Sequence, residues 1–583
     1  MRSASPESGQ RGKIGIKLVN SLVALAFIGL CGVLVYRYLD GSSGTNQSAP
    51  TGKSTKKTVS PQEYLDISFY SSSAKKNWVD AMVKSFNESG ERVGHKTIRV
   101  KPFHVNSGDS LDDLKQGKIM PDLWSPGDES WLELAAAHWK NVKQKPLFDH
   151  YTPLVNIPLV IAVWEPMAKA LGYPNPIGWK DIAKVASNPE GWAALGHPEW
   201  GKFRWGHAHP DANSGFLTIV SEVYAALDKT EGLTPEDLKK PEVVAFLKEF
   251  EGSVEHYGLS NSWIDDLMHA KGPAYLSAAV QYENTIIETN EKNKNQPFKL
   301  VAIYPRDGAF WTRHPVAVLK EARVTPEKEE ASQKLIDFLL SEPAQRRAME
   351  LGLRPIAREL ALSSPFDDEH GVNPGAMRDK VFQVPEETVL KRVRDLWEDL
   401  KVPATVVLIL DHSGSMKGKP MQGAKEGAIQ FIRSMKPRDR LELIIFNNTI
   451  TKLTQMCSIQ DCSESAIARL EGVFAEGGTA LHDSIYESYM KLSEMKKKDP
   501  GRRYGIVVLS DGLDTSSRMK RYDFTDVLPK GEDFDVPKIY TIAYGAEADR
   551  DLLGEISNRT NARIFNSTVE NISSTYKELS ANF

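Results

Sequence analysis

Apolar positions fall into two repeating patterns along this chain. Short runs with apolar residues either continuous or at every second position read as strands, and the segments that follow them carry apolar residues at helical spacing. Leu65–Tyr70 is the first such strand; it ends at Ser71-Ser72-Ser73, ahead of a helical stretch marked by Trp78, Met82, Val83 and Phe86. Thr97–Val105 ends at Asn106-Ser107-Gly108-Asp109-Ser110, and Asp122–Trp124 ends at Ser125-Pro126-Gly127-Asp128. Strand, turn and helix recurring in this order predict a parallel sheet with helices on its faces. Farther on, Phe216–Leu227 and Glu327–Leu340 read as helices, with another starting at Ser341-Glu342-Pro343.

The last third repeats the alternation more cleanly. Ala404–Leu410, Arg440–Phe446, Tyr504–Leu509, Lys538–Ala543 and Ala562–Phe565 read as strands, separated by helical stretches at Met421–Met435, Leu481–Lys498 and Leu552–Arg559 and followed by one at Val569–Leu579. That order predicts a second, doubly wound α/β sheet. Between the two regions, Val389, Leu390, Val393, Leu396 and Trp397 lie at helical spacing, and Pro385–Leu400 reads as a connector helix packed on a domain.

The amino terminus is patterned differently. Leu18–Tyr36 is an uncharged, mostly apolar stretch preceded by Arg2, Arg11, Lys13 and Lys17. Its helix would rise about 28 Å, close to a bilayer's hydrocarbon thickness. We read it as one transmembrane helix with the amino terminus inside and the bulk of the chain outside the cytoplasm. A cleaved signal peptide is the alternative, disfavoured by the lack of an Ala-x-Ala-like site. The expected divisions are 1–40 tail and anchor, 41–62 flexible linker, 63–380 first soluble domain, 381–402 connector and 403–583 second soluble domain. A net charge of −4 in 583 residues gives no basic excess for nucleic acid. Three cysteines cannot build a disulfide scaffold, and the pairing of Cys457 with Cys462 stays open.

Candidate chemistry concentrates after the Ala404–Leu410 strand. Asp411, Ser413 and Ser415 alternate on the loop leaving its carboxyl end, where open α/β sheets bind ligands. Gly477-Gly478-Thr479 precedes a helix, and Asp511 closes the Tyr504–Leu509 strand. These residues resemble the metal-ion-dependent adhesion site of von Willebrand factor type A (VWA) domains. The resemblance implies Asp411, Ser413, Ser415, Thr479 and Asp511 as ligands, directly or through water. Two carboxylates and three hydroxyls suit Mg²⁺, or another divalent cation such as Mn²⁺ or Ca²⁺, and leave it incompletely neutralised. A protein partner would then donate an acidic residue to the metal.

The layout from Tyr64 to Pro374 resembles bacterial extracellular solute-binding proteins of the two-lobed, type II periplasmic kind. It implies two α/β lobes closing on a small-molecule solute, with hinge strands near Val155–Trp164 and Lys299–Tyr304. By position, Ser72, Ser73, Ser107, Gly108, Ser214, Tyr282 and Trp311 are expected to line the cleft. Glu283 and Asp109 argue against a simple oxyanion and Arg306 and Arg313 for one, so the solute is unassigned. His207-Ala-His209 has strand spacing for half a transition-metal site, but with no third ligand identifiable it reads as an ordinary loop. The combined reading is a membrane-anchored binding protein and not an enzyme. The alternatives are a receptor for an ABC-type transporter with the second domain as docking element and, more remotely, a cleft hydrolase, for which no nucleophile–base motif appears.

Overall fold

The computed structural model describes residues 63–583, apart from 259–260, 321–323, 358, 377–379, 532 and 534. The expected anchor and linker therefore lie outside the described residues. Among the described residues no helix is long and apolar enough to cross a membrane.

In chain order, the strands of the first region are β1 (Tyr64–Ser71), β2 (Arg92–Val93), β3 (Lys96–His104), β4 (Leu123–Ser125), β5 (Tyr151–Pro153), β6 (Val155–Trp164), β7 (Trp205–Ala208), β8 (Val254–Gly258), β9 (Ala278–Tyr282), β10 (Leu300–Ile303), β11 (Trp311–Thr312), β12 (Pro315–Val318) and β13 (Arg354–Pro355). They form two sheets. The first runs β2-β3-β1-β4-β12-β5, and the second runs β10-β6-β9-β7-β8, with β11 and β13 also paired to β6. As the strand–turn–helix repeat predicts, β1, β3 and β4 are parallel. β6 is buried at every position, which is why its sequence is almost wholly apolar.

The crossings between the lobes differ from the expected hinge strands. β6 and β10 pair with each other inside the second sheet. The chain enters the second lobe a last time at β13, which pairs with β6, and its other two passages between lobes lie at Leu154, joining β5 to β6, and at Arg313–His314, joining β11 to β12. The two crossings are tied to one another, Leu154 N–H donating to Arg313 O at 3.3 Å. The apolar runs marked where the second lobe begins and not the flexible joint, because hinges need few residues and no apolar pattern.

The second region contains β14 (Ala404–Asp411), β15 (Arg440–Phe446), β16 (Ile450–Lys452), β17 (Cys457–Ser458), β18 (Arg503–Ser510), β19 (Lys538–Tyr544) and β20 (Ile564–Ser567). The order is β16-β15-β14-β18-β19-β20, with β14 parallel to both β15 and β18. Val406, Leu408 and Leu410 face one helical layer, while Val407 and Ile409 face the other. Cys457 and Cys462 are joined in a disulfide. The connector appears as the helix Glu387–Leu400, burying Val389, Leu390, Val393 and Trp397.

The two regions pack together. Arg503 donates to Val254 O at 2.6 Å, Lys538 pairs with Glu255 at 3.2 Å, and Tyr275 Oη donates to Asn561 O at 3.0 Å.

Candidate functional site

Strand order positions the first site. The chain winds from β14 to β15 on one side and returns to β18 on the other, so β14 and β18 flank a switch point, where ligands bind in such sheets. Leu410 is in register with Leu509, which places Asp411 beside Ser510 and near Asp511. Ser510 Oγ donates to Asp411 Oδ2 at 2.7 Å, and Ser413 N–H donates to Asp411 Oδ1 at 2.9 Å. Ser413 Oγ and Ser415 Oγ lie 3.0 Å apart, and Ser415 Oγ donates to Asp511 Oδ1 at 2.8 Å. Asp411, Ser413 and Ser510 are buried, Asp511 is half-buried and Ser415 is exposed, so the cluster opens outward through Ser415.

Thr479 reaches the same rim by its backbone. Gly414 N–H donates to Gly477 O at 2.9 Å, and Thr515 and Ser516 N–H donate to Thr479 O at 2.9 and 3.0 Å. Gly477 has a φ of 81°, and a Cβ there would collide with the Asn448 side chain. Among the described residues no hydrogen bond joins the Thr479 hydroxyl to the other four side chains. Burial pushes the Asp411 carboxyl above its ordinary range, with the Asp511 charge adding to the effect, and burial likewise raises Asp511. Among the described residues neither carboxylate has an ion-pair partner. Oxygen atoms without a compensating cation fit a hard divalent ion. Ser510 was missing from the expected ligand set; its place beside Asp411 depends on register, which the sequence does not print.

The second site is a cavity of about 210 Å³ between the lobes. Ser72, Ser73, Ser107, Ser214 and Tyr282 line it, joined by Lys75, Asn213 and Asn284. Five helices begin here: Lys76–Ser89 after a short turn at Ser73–Lys75, Ser107–Lys115, Asn213–Leu227, Asn261–Lys271 and Glu283–Lys292. Their amino ends aim backbone N–H groups and positive dipole ends at the cavity. Lys75 is buried and donates to Ser72 Oγ, Ser125 O and Pro126 O at 3.1, 3.0 and 3.5 Å. Asn213 receives the Trp131 indole N–H and donates to Tyr282 Oη.

Several expectations need correction. Trp311 does not line this cavity. Its strand β11 pairs with Ile157 and Pro158 of β6, and its ring lies against Arg354, 5.2 Å away. Gly108 is a contact between lobes: its N–H donates to Asp211 O at 3.2 Å, and a Cβ would sit 2.6 Å from that oxygen. Glu283 does not present charge to the cleft either. It is fully buried and bound bidentately by Arg354 at 2.6 and 2.7 Å, with Tyr304 also donating to it. Asp109 pairs with Lys577 of the second region at 2.6 Å. Finally, His207 lies on β7 and not in a loop, while His209 pairs with Asp211 at 3.2 Å.

Residues 67–354 match the family model for bacterial extracellular solute-binding proteins, and residues 405–581 match that for von Willebrand factor type A domains. The chain thus joins an extracellular solute-binding domain to a VWA domain. It is 32% identical over 114 residues to an uncharacterized protein of Synechocystis, covering 20% of this chain and 26% of that one. It is 28% identical over 116 residues to human inter-alpha-trypsin inhibitor heavy chain H4, covering 19% and 12%. The chain thus spans about a quarter or less of these relatives. Among solved structures, the sulfate-binding protein SubI of Mycobacterium tuberculosis aligns at 15% identity and a TM-score of 0.38, covering 53% of this chain and 93% of that one. A VWA protein of Catenulispora acidiphila aligns at 16% and 0.28, covering 31% and 42%.

Proposed function

We propose that the chain is a membrane-anchored extracytoplasmic binding protein. Its two-lobed domain captures a small polar solute, and its VWA domain holds a protein partner through a divalent cation, Mg²⁺ for preference. Asp411, Ser413, Ser415, Thr479 and Asp511 carry the cation, with Ser510 fixing the Asp411 carboxylate. The supporting observation is the Ser413–Ser415–Asp511 chain of oxygens, which opens to solvent through Ser415 and, among the described residues, has no Lys or Arg side chain paired with it. Mg²⁺ held by these residues would retain exchangeable water, one molecule of which an acidic side chain of the partner would replace. This is binding chemistry: it moves no proton and forms no covalent bond.

The chain's own residues do the positioning. Ser510 Oγ and Ser413 N–H occupy one lone pair on each Asp411 oxygen, orienting the carboxylate. In the cleft, hydroxyls, amides and helix amino ends offer donors to a solute rich in acceptors. The reading is tested by titrating the full chain with Mn²⁺ as a paramagnetic stand-in for Mg²⁺. Saturable binding that Mg²⁺ competes away, and that Asp411→Asn removes, supports it; binding unaltered by the substitution overturns it.

A further inference from the structure

The cluster that neither site uses lies deep in the second lobe. His207 on β7, Glu222 on the helix Asn213–Leu227 and Glu251 on the helix Pro241–Gly252 are all fully buried. One ligand atom from each lies within 4.8 Å of the others. His207 Nδ1 is 2.7 Å from Ala208 O, and because a carbonyl only accepts, that nitrogen carries the hydrogen. The other ring nitrogen, Nε2, faces Glu251 Oε1 at 3.1 Å. Tyr257 Oη and Trp397 Nε1 both donate to Glu251 Oε2, at 2.7 and 2.8 Å, leaving Oε1 for the centre of the cluster. Among the described residues no protein donor reaches either oxygen of Glu222, whose polar neighbour is the Glu251 carboxylate.

An isolated carboxylate in such a place costs several kcal/mol or more unless something neutral or positive meets it. With a neutral imidazole the three groups carry two negative charges, which one divalent cation cancels. Two ligands at about 2.0–2.1 Å from a tetrahedral ion stand roughly 3.3 Å apart, close to the observed gap between His207 and Glu251. The Nδ1–H bond to a carbonyl and the paired donors on Glu251 Oε2 are the outer contacts that orient metal ligands.

We propose that His207, Glu222 and Glu251 bind one divalent transition-metal ion, zinc by the match of imidazole and carboxylate donors, as a structural staple beneath the connector helix. The nitrogen ligand separates this site from the all-oxygen rim, which favours hard cations. Trp397 belongs to the connector helix, so the same ion orders the link between the two domains. The neutral imidazole binds through its Nε2 lone pair, and the proton displaced is the one on Glu222.

The test uses the full chain, purified without a polyhistidine tag and dialysed against EDTA, with metals counted by mass spectrometry. Because the site is sealed, about one zinc ion per chain is expected to survive dialysis. Asp411→Ala should keep it. Glu222→Gln and His207→Gln should lose it and melt at lower temperature. Should those variants fail to fold, the wild-type chain refolded from denaturant supplies the answer, with a higher yield expected in ZnCl2 than in EDTA. Wild-type protein that holds no transition metal and refolds equally well in both sinks the proposal. So does Glu222→Gln melting at or above the wild type, since an amide replaces a protonated carboxyl but not a metal ligand.

Discussion

Glu283 and Asp411 are both fully buried carboxylates, and they are treated in opposite ways. Glu283 is gripped by Arg354 and Tyr304, its charge answered inside the protein. Asp411 meets only hydroxyl and backbone donors, and its neighbour Asp511 adds like charge. A buried charge paired with a fixed partner belongs to the scaffold. One left without a counter-ion is a cost the fold tolerates only where a ligand removes it. The contrast separates the proposed cation site from a strut without reference to sequence motifs.

Breaking the strut should give the largest effect. Arg354→Ala leaves Glu283 buried and unpaired, and is expected to cost about 3–5 kcal/mol in urea denaturation. Asp411→Ala removes an uncompensated charge, so in EDTA it should change stability by no more than about 1 kcal/mol. Equal losses in the two variants would erase the distinction drawn here. Cation affinity should reverse the ranking. Asp411→Asn is expected to weaken Mn²⁺ binding by at least about 100-fold, or ~2.7 kcal/mol, by calorimetry, while Arg354→Ala, where it folds, leaves it unchanged.

Acidity sharpens the same contrast. The folded-state pKa of Asp411 is raised, mainly by burial, so the folded chain binds a proton there more tightly than the unfolded chain does. Without cation, that group's stability contribution is full below the unfolded carboxyl pKa and is lost as pH rises through the folded one. The wild-type midpoint in EDTA should therefore fall relative to Asp411→Asn as pH rises through the mildly acidic range. With Mg²⁺ present the difference should reverse, because the cation requires the ionised form. A pH-independent difference between the two proteins would contradict the raised pKa.

How much of this was legible follows from how far apart the parts lie in the chain. The rim was largely readable because Asp411, Ser413 and Ser415 share one loop, and apolar runs announce β14 and β18. What escaped was Ser510, which matters only through the pairing of Leu410 with Leu509. The cleft serines were visible as helix starts. Trp311 was misplaced because an aromatic loop pattern says nothing about which face of β6 its strand will join. Glu283 looked like cleft charge because Arg354, its partner 71 residues later, carries no local mark. His207 suffered likewise: Glu222 and Glu251 reach it only through the packing of two helices on β7. Local chemistry survives in a one-dimensional reading, and charge compensation does not.

The smallest expected effect concerns the bond between the two regions. Lys577, on the last helix (Ile572–Ser580), pairs with Asp109 on the cleft helix that begins at Ser107. Beside it, Gly108 touches Asp211 across the cleft, and Arg394 of the connector lies 3.4 Å from the Asp211 carboxylate. The Lys577 side chain is 66% exposed, so the pair is worth under about 1 kcal/mol to the fold. Lobe opening would stretch it, however, since Asp109 moves with the first lobe while Lys577 is fixed in the VWA domain. Lys577→Ala should therefore leave the thermal midpoint nearly unchanged yet shift the balance between open and closed lobes, by at most about fivefold. Small-angle scattering and single-molecule distance measurements between labels on the two lobes would show a larger open fraction. An unchanged distribution would mean that Lys577 merely decorates the surface, and that the compensated and uncompensated halves of the molecule work without reference to each other.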